Sequence, residues 1–348
     1  MEPVTHDQGR SDGFSIGRLP RVLSYWLSAL FLIFSLSSDA RAQRAVVETV
    51  RFEADSVGRQ MTYNIILPSG YENAANRDRQ YPTLYLLHGY GNSYEGWSRF
   101  MGVPSYALQY ELIIVMPDAG NSFYVNWAES SGGVANAWED YITQDVIGHV
   151  EANYPALPQG EARAIAGFSM GGYGALTIGL RNPDLFASIG SQSGAFEYGR
   201  RAAERLRQGE TATPPRRYSQ ARQSQLDRPN PTIDIAGFSS VNDRTPSGQP
   251  FVTAAQAEAH DPFSLVSQVP RERLPLIQID CGTADGLITT NREFASLLMR
   301  LDIPFDFLQL SGGHDPIYWI EAYGYAIGWH YEAMQRALGK RPVVRRNR

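Results

Sequence analysis

The stretch Ala164-Ile165-Ala166-Gly167-Phe168-Ser169-Met170-Gly171-Gly172-Tyr173-Gly174-Ala175-Leu176 constrains this chain more than any other. A short apolar run readable as a buried strand ends at Gly167, a single serine follows, and glycines and small residues then open a helical pattern. A serine on a strained strand-to-helix turn leaves no room for side chains at the two flanking positions, so both must be glycine or nearly so. Its hydroxyl then stands clear of the sheet, the helix N-terminus faces developing negative charge, and the Met170 N–H becomes a donor to it. This is the GxSxG nucleophile-elbow pattern. Glycine is common here, 32 of 348 residues, so the bare motif could arise by chance. The strand pattern at Arg163–Ala166 and the helical period at Gly171–Leu180 give it the context it needs.

Composition narrows the chemistry. With 43% hydrophobic and 19% charged residues the chain is ordinary globular material with a sizeable core, and a net charge of -5 gives no basic field for nucleic acid. The basic run at the end, Lys340 to Arg348, reads as a solvated tail. Lys340 is the sole lysine, which removes Schiff-base lysines, a Walker lysine and Ser-Lys dyads unless that terminal residue supplies them. Cys281 is the sole cysteine, so no intrachain disulfide and no cysteine-based metal site can form. No HExxH pattern or ligand cluster is present, and no metal or other cofactor is expected.

Residues 1–42 read as a signal peptide. Arg18 and Arg21 precede the apolar stretch Val22 to Leu36, and Ala40-Arg41-Ala42 forms an AxA-like cleavage site. An uncleaved anchor is the alternative, but the apolar core is short and broken by serines. The expectation is a secreted or periplasmic protein with no stable membrane insertion after cleavage, its catalytic domain spanning 43–348.

Along that domain, Ala45–Phe52 and Gln60–Leu67 alternate like an antiparallel pair, while Tyr81–Leu87 and Glu111–Met116 are continuous apolar runs suited to strands covered on both faces. The pattern predicts a helix over Asp140–Asn153, then the elbow, then a strand over Leu185–Ile189. After a gap come a strand at Leu276–Cys281, a helix at Thr290–Leu301, a strand at Phe305–Leu310 and a closing helix from about Ile317 to Leu338. This alternation implies an α/β fold with a mostly parallel central sheet and helices on both faces, the ligand lying beyond the strands' carboxyl ends. Residues 198–260, rich in Arg, Gln, Pro, Ser and Thr, read as a long insertion, either a lid over the site or a merely solvated loop.

A serine nucleophile needs a histidine base held by a carboxylate. Of six histidines, His6 leaves with the leader, His149 and His330 lie in helical patterns, His260 lacks a motif, and His88 belongs to another loop. His314 stands on the glycine-rich loop Ser311–Pro316 after the last strand, in the order serine, acid, histidine, and is the expected base. For the acid, Asp285 on the loop after the Cys281 strand is favoured over Asp280 inside the strand pattern. The second oxyanion donor is expected from Leu86-Leu87-His88-Gly89-Tyr90-Gly91, where Gly89 permits a tight turn and the Tyr90 N–H can converge with that of Met170. The loop Pro117–Trp127 mixes aromatics with amides. Tyr124, Trp127 and the neighbouring Trp97 could wall a sugar or phenolic ring, the competing reading being a packed surface loop.

Taken together, HGYG at His88, GNSFYVNW at Gly120, GFSMGGYGAL at Gly167, DCGTADG at Asp280 and GGHDPIYW at Gly312 resemble the esterase D group of α/β hydrolases, from about Val47 to the last helix and excluding the insertion. That group includes feruloyl and acetylxylan esterases, tributyrin-type esterases, S-formylglutathione hydrolases and secreted mycolyltransferases. The resemblance implies an α/β-hydrolase fold, Ser169 as nucleophile, Asp285 as acid, His314 as base, and the Tyr90 and Met170 amides as oxyanion hole. Many members carry tryptophan two residues after the histidine, where this chain has Pro316. The later aromatics Tyr318 and Trp319 survive, and Trp319 is carried as a substrate-binding candidate. The expectation is a secreted serine carboxylesterase acting on acyl or feruloyl esters of a small molecule or carbohydrate. The rivals are an acyltransferase to a sugar hydroxyl, a catalytically silent carbohydrate-binding module and, more distantly, a peptidase.

Overall fold

The structure, a computed structural model, describes residues 45–131, 133, 135–212 and 245–340. The expected signal peptide, 1–42, and the interior of the insertion, 213–244, lie outside the described residues. Ten strands are present among them: β1 (Val47–Ala54), β2 (Arg59–Ile66), β3 (Thr83–Leu87), β4 (Ile113–Pro117), β5 (Glu129–Ser130), β6 (Arg163–Phe168), β7 (Ser188–Gln192), β8 (Gly248–Gln249), β9 (Leu276–Asp280) and β10 (Phe305–Leu308). Eight form one sheet in the order β1-β2-β4-β3-β6-β7-β9-β10, with β2 antiparallel to both β1 and β4 and every later pairing parallel.

The continuous apolar strands owe their pattern to burial on both sides. Along β3, Leu84 and Leu86 enter one core, with Ile114 and Met116 of β4, whereas Tyr85 and Leu87 enter the other with Ile113 and Val115. This is the period-two alternation of a strand with no solvent face. Helix α1 (Val103–Ala107) packs into the first of these cores. A π-helical turn, Tyr141–Val146, leading into α2 (Ile147–Asn153), and α3 (Met170–Arg181) pack into the second. So do α4 (Tyr198–Arg207), α5 (Ala254–Glu258), α6 (Pro262–Leu265) and α7 (Ile288–Arg300). Helix α8 (Pro316–Ala337) closes the first core with Tyr318, Trp319, Ala322, Tyr323 and Ile327.

Two elements depart from the sequence reading. The strand expected at Leu185–Ile189 runs instead over Ser188–Gln192, because Pro183–Leu185 forms a 3-10 turn and pairing with β6 and β9 draws the small and polar Gly190, Ser191 and Gln192 into the sheet. Neighbours on both sides supply what propensity does not. The insertion also begins as a helix: α4 turns Gly199, Ala202 and Ala203 inward, with Tyr198 and Leu206 beside them and Arg and Glu on the outer face, an amphipathic pattern that the reading of the insertion as irregular passed over. The flanks of the insertion are built into the body. β8 pairs with β5, Thr253 and Gln256 form a capping box at α5, Asp261 caps α6, and Arg207 pairs with Glu258.

Parallel register aligns the carboxyl ends, Leu87 opposite Gly167, Phe168 opposite Gln192, and Gln192 opposite Asp280. The loops bearing chemistry leave from that edge. At the centre of it packing is tight: a Cβ on Gly171 would lie 2.2 Å from the Leu87 carbonyl oxygen, and one on Gly167 2.4 Å from the Gly171 backbone. Backbone cannot yield as a side-chain end can. Gly171→Ala is therefore expected to cost about 3 kcal/mol of stability or more, read as a lowered denaturant midpoint in urea unfolding; an unchanged midpoint would contradict this packing.

Candidate active site

Ser169 lies between the last residue of β6 and the first of α3 with φ 55° and ψ −115°, a conformation costly for a side-chain-bearing residue. Surrounding hydrogen bonds hold it there. Its N–H donates to the Gln192 carbonyl (2.8 Å), and its carbonyl accepts from Tyr173 N–H and Ala195 N–H (3.1 Å each). Met170 opens α3, so its N–H has no intrahelical acceptor, and the twelve-residue helix directs its positive end to the serine.

His314 follows β10 on a loop tied to the loop after β9. Thr283 N–H donates to the Leu310 carbonyl (2.9 Å) and Ala284 N–H to that of Gly312 (2.8 Å). The Asp315 carboxylate then caps α8 by accepting from Ile317 and Tyr318 N–H (3.0 and 3.2 Å). The imidazole is thereby delivered between two groups. Its Nε2 lies 2.9 Å from Ser169 Oγ and its Nδ1 2.9 Å from Asp285 Oδ2. The other Asp285 oxygen accepts from Leu287 N–H (2.8 Å). The Asp285 carboxylate is buried, and burial alone would raise its pKa. The hydrogen bond and charge of His314, with the Leu287 amide, outweigh that and hold it below the ordinary carboxylate value. With Asp285 ionised, the geometry has Nδ1–H donating to it, leaving the Nε2 lone pair to accept the Ser169 hydroxyl proton.

Asp280, the competing acid, does not reach the histidine. Its side chain is fully buried at the end of β9, where Oδ2 accepts from Gln278 Nε2 (3.2 Å) and the backbone carbonyl accepts from Ser193 N–H (2.8 Å). Burial, with the nearby Asp285 charge adding to it and Gln278 opposing it, pushes its carboxyl up to about 7. Cys281 is buried and its thiol is pushed up by burial, consistent with an inert core residue. Among the described residues there is no group of His, Cys, Asp and Glu able to hold a metal ion, and no helix long and apolar enough to cross a membrane.

The aromatic candidates require correction. Trp97 has no exposed surface: it packs edge-on against Phe168 and beside Tyr323 in the core. Tyr124 is equally buried, its hydroxyl donating to the His88 carbonyl (2.9 Å) and its ring filling the space where Gly174 lacks a side chain. Trp127 is buried with Nε1 donating to the Ser122 carbonyl (3.0 Å). The packed-loop reading holds for these three. The backbone explains the inversion, since Phe123 and Tyr124 both have positive φ, 56° and 58°, and the chain doubles back there. Phe123 then stacks on Tyr198 of α4 at 3.6 Å and lies 6.0 Å from the Tyr90 ring. Trp319, buried, meets the His314 ring edge-on at 4.9 Å and backs the imidazole. Sequence reasoning passed over Phe123 and Tyr198. Phe123 sat inside the aromatic loop already singled out, whereas nothing local marked Tyr198.

The Esterase family model matches residues 54–322 of the chain. Esterase MT1326 of Mycobacterium tuberculosis is 27% identical over 275 residues, covering 76% of this chain and 54% of that protein, so the chain spans about half the length of this relative. An acetyl esterase of Caldicellulosiruptor saccharolyticus is 26% identical over 249 residues, 71% of this chain and 82% of that one. Among solved structures, FphF, a fluorophosphonate-binding serine hydrolase of Staphylococcus aureus, superposes with a TM-score of 0.61 at 25% identity, covering 83% of this chain and 99% of that chain.

The buried carboxyl of Asp280 gives a pH signature. Its native pKa of about 7 stands above its ordinary value of 3.8, so the folded chain binds the extra proton between them. The stability it contributes is full below about pH 4 and is lost as pH rises through about 7. In thermal melts Asp280→Asn should match the wild type only below about pH 4, gain on it as pH rises from there towards 7, and exceed it by several degrees at pH 8. Equal curves at both pH values would mean that Asp280 ionises normally in the native state.

Proposed function

We propose, from the premise that the chain belongs to the Esterase family and is an enzyme acting on carboxylic esters, that it works as a serine carboxylesterase through an acyl-enzyme on Ser169. The observation that carries this is the contiguous 2.9 Å pair of contacts from Ser169 Oγ to His314 Nε2 and from His314 Nδ1 to Asp285. His314 takes the serine proton as Oγ attacks the ester carbonyl, and Asp285 stabilises the imidazolium. The N–H groups of Met170 and Tyr90 receive the oxyanion, and the N-terminus of α3 adds its dipole. The proton on His314 passes to the leaving alcohol. Water activated by the same histidine then attacks the acyl-enzyme and releases the acid and the free serine.

The proposed substrate is an acyl or feruloyl ester, borne on a carbohydrate. Supporting it are the acetyl esterase relative for a small acyl group, and the half-buried rings of Tyr90 and Tyr198, packed on the buried Phe123 beside the oxyanion loop, for a phenolic one. Export is proposed from the sequence of residues 1–42, with action in the periplasm or the medium.

Hydrolysis of p-nitrophenyl acetate, butyrate and octanoate and of methyl ferulate by the mature chain tests the reading. Ser169→Ala is expected to lose activity by about 10⁴-fold or more, and His314→Ala comparably. Wild-type turnover that survives in Ser169→Ala would overturn the serine mechanism. Methyl ferulate turned over no faster than buffer would overturn the phenolic assignment, and ester product appearing only when a sugar acceptor is added would identify transfer in place of hydrolysis.

A further inference from the structure

The proposed mechanism needs the Tyr90 N–H held toward one point, and the residues that could hold it are not those that touch substrate. The Tyr90 N–H shares a planar trans peptide unit with the Gly89 carbonyl, and the two point in opposite directions. Whatever fixes the Gly89 carbonyl therefore aims the Tyr90 N–H. That carbonyl lies 2.9 Å from His88 Nδ1. The ring's other nitrogen, Nε2, lies 3.0 Å from the Ala119 N–H, which requires a lone pair there. Asp118 Oδ1, 3.5 Å from Nε2, is beyond hydrogen-bond reach and accepts the Gly120 N–H instead (3.1 Å). His88 is thus a neutral imidazole in one tautomer, with Nδ1–H donating to Gly89. The ring is fully buried, and the hydroxyl of Tyr124 ties down the His88 carbonyl as well.

The next peptide unit is clamped from the same side. The Gly91 N–H donates to Asn121 Oδ1 at 2.8 Å. The amide of Asn121 is itself oriented, since its Nδ2 donates to Thr245 Oγ1 at 3.2 Å, and Asn121 and Thr245 are both buried. Both peptide planes flanking Tyr90 are therefore set by His88, by the loop 118–124 and by Thr245 within the insertion.

We infer that His88 and Asn121 are positioning residues that orient the Gly89–Tyr90–Gly91 backbone as an oxyanion donor, with Thr245 fixing the amide of Asn121. This rests on the reading of Tyr90 as an oxyanion donor. It assigns the GNS portion of the 120–127 loop to the stabilisation of charge in the transition state, where the sequence had suggested substrate grip. A misaimed donor weakens binding of the oxyanion and leaves the ground-state ester untouched, so its loss falls on kcat.

The test measures kcat and KM on p-nitrophenyl acetate, together with the inhibition constant of an aryl trifluoromethyl ketone, whose hemiketal with Ser169 places a negative oxygen in the same hole. Asn121→Leu removes the acceptor for Gly91 at similar volume, and Asn121→Asp keeps it. Asn121→Leu is expected to lower kcat about 10- to 100-fold with KM within about threefold, to weaken the ketone by the same factor as kcat/KM, and to be largely rescued in Asn121→Asp. Should Asn121→Leu fail to fold, Asn121→Ser, too short to reach Gly91, carries the same expectation. Wild-type kcat and ketone affinity in a folded Asn121→Leu or Asn121→Ser would overturn the inference. Tyr90→Pro, which deletes the N–H itself, separates the two levels. Wild-type ketone affinity in Tyr90→Pro would remove the oxyanion reading and the inference together. Weakened affinity there with unaffected Asn121 variants would leave the reading standing and remove the inference.

Discussion

Everything at the site depends on one steric fact, the absence of side chains on either side of Ser169. The Leu87 carbonyl approaches the space above Gly171 and the Gly171 backbone fills the space above Gly167, so β3, β6 and α3 meet at distances that only glycine permits. That closeness forces the serine into its positive-φ conformation and lifts Oγ out of the sheet. It also brings the start of α3 beneath the hydroxyl. The strain on one residue is maintained by the hydrogen bonds that Gln192, Tyr173 and Ala195 make to its backbone.

Two carboxylates separated by five residues then take opposite characters from their surroundings. Asp285 leaves the strand on a turn, gains His314 and the Leu287 amide, and stays ionised. Asp280 remains inside β9, where burial outweighs the hydrogen bonds of the Gln278, Tyr318 and Gln192 side chains, and its carboxyl is pushed toward neutrality. The residue type is the same in each case. The degree of burial and the kind of partner differ, neutral side chains for Asp280 and an imidazole able to carry charge for Asp285, and the loop position of Asp285 is what lets it orient the histidine.

Much of this was legible in the chain. The alternation of apolar runs with helical periods located most of the strands and helices of the main sheet, because strands covered on both faces must be apolar throughout and helices must carry a stripe. The boundaries failed where tertiary pairing overrode composition, as in β7, or where a short, charge-rich amphipathic helix opened a segment whose overall composition reads as loop, as in α4. The aromatic loop shows the same limit at the level of side chains. Tyr124 and Trp127 carry the chemistry of a binding wall, yet the chain doubles back through two consecutive positive-φ residues and all three aromatics of the loop are buried, Phe123 against Tyr198.

The sequence by itself determined the order of chemistry along the chain. Ser169, Asp285 and His314 follow strands in succession, and glycines mark where backbone must approach backbone, since these constraints are local and written in residue type. Only the tertiary structure decided which aspartate faces the imidazole, which aromatics are core, and that His88 and Asn121 grip the Gly89–Gly91 backbone. Those outcomes depend on contacts between distant segments, 155 residues apart for Tyr90 and Thr245 and further still for Trp97 and Tyr323, and no short window along the chain contains both partners.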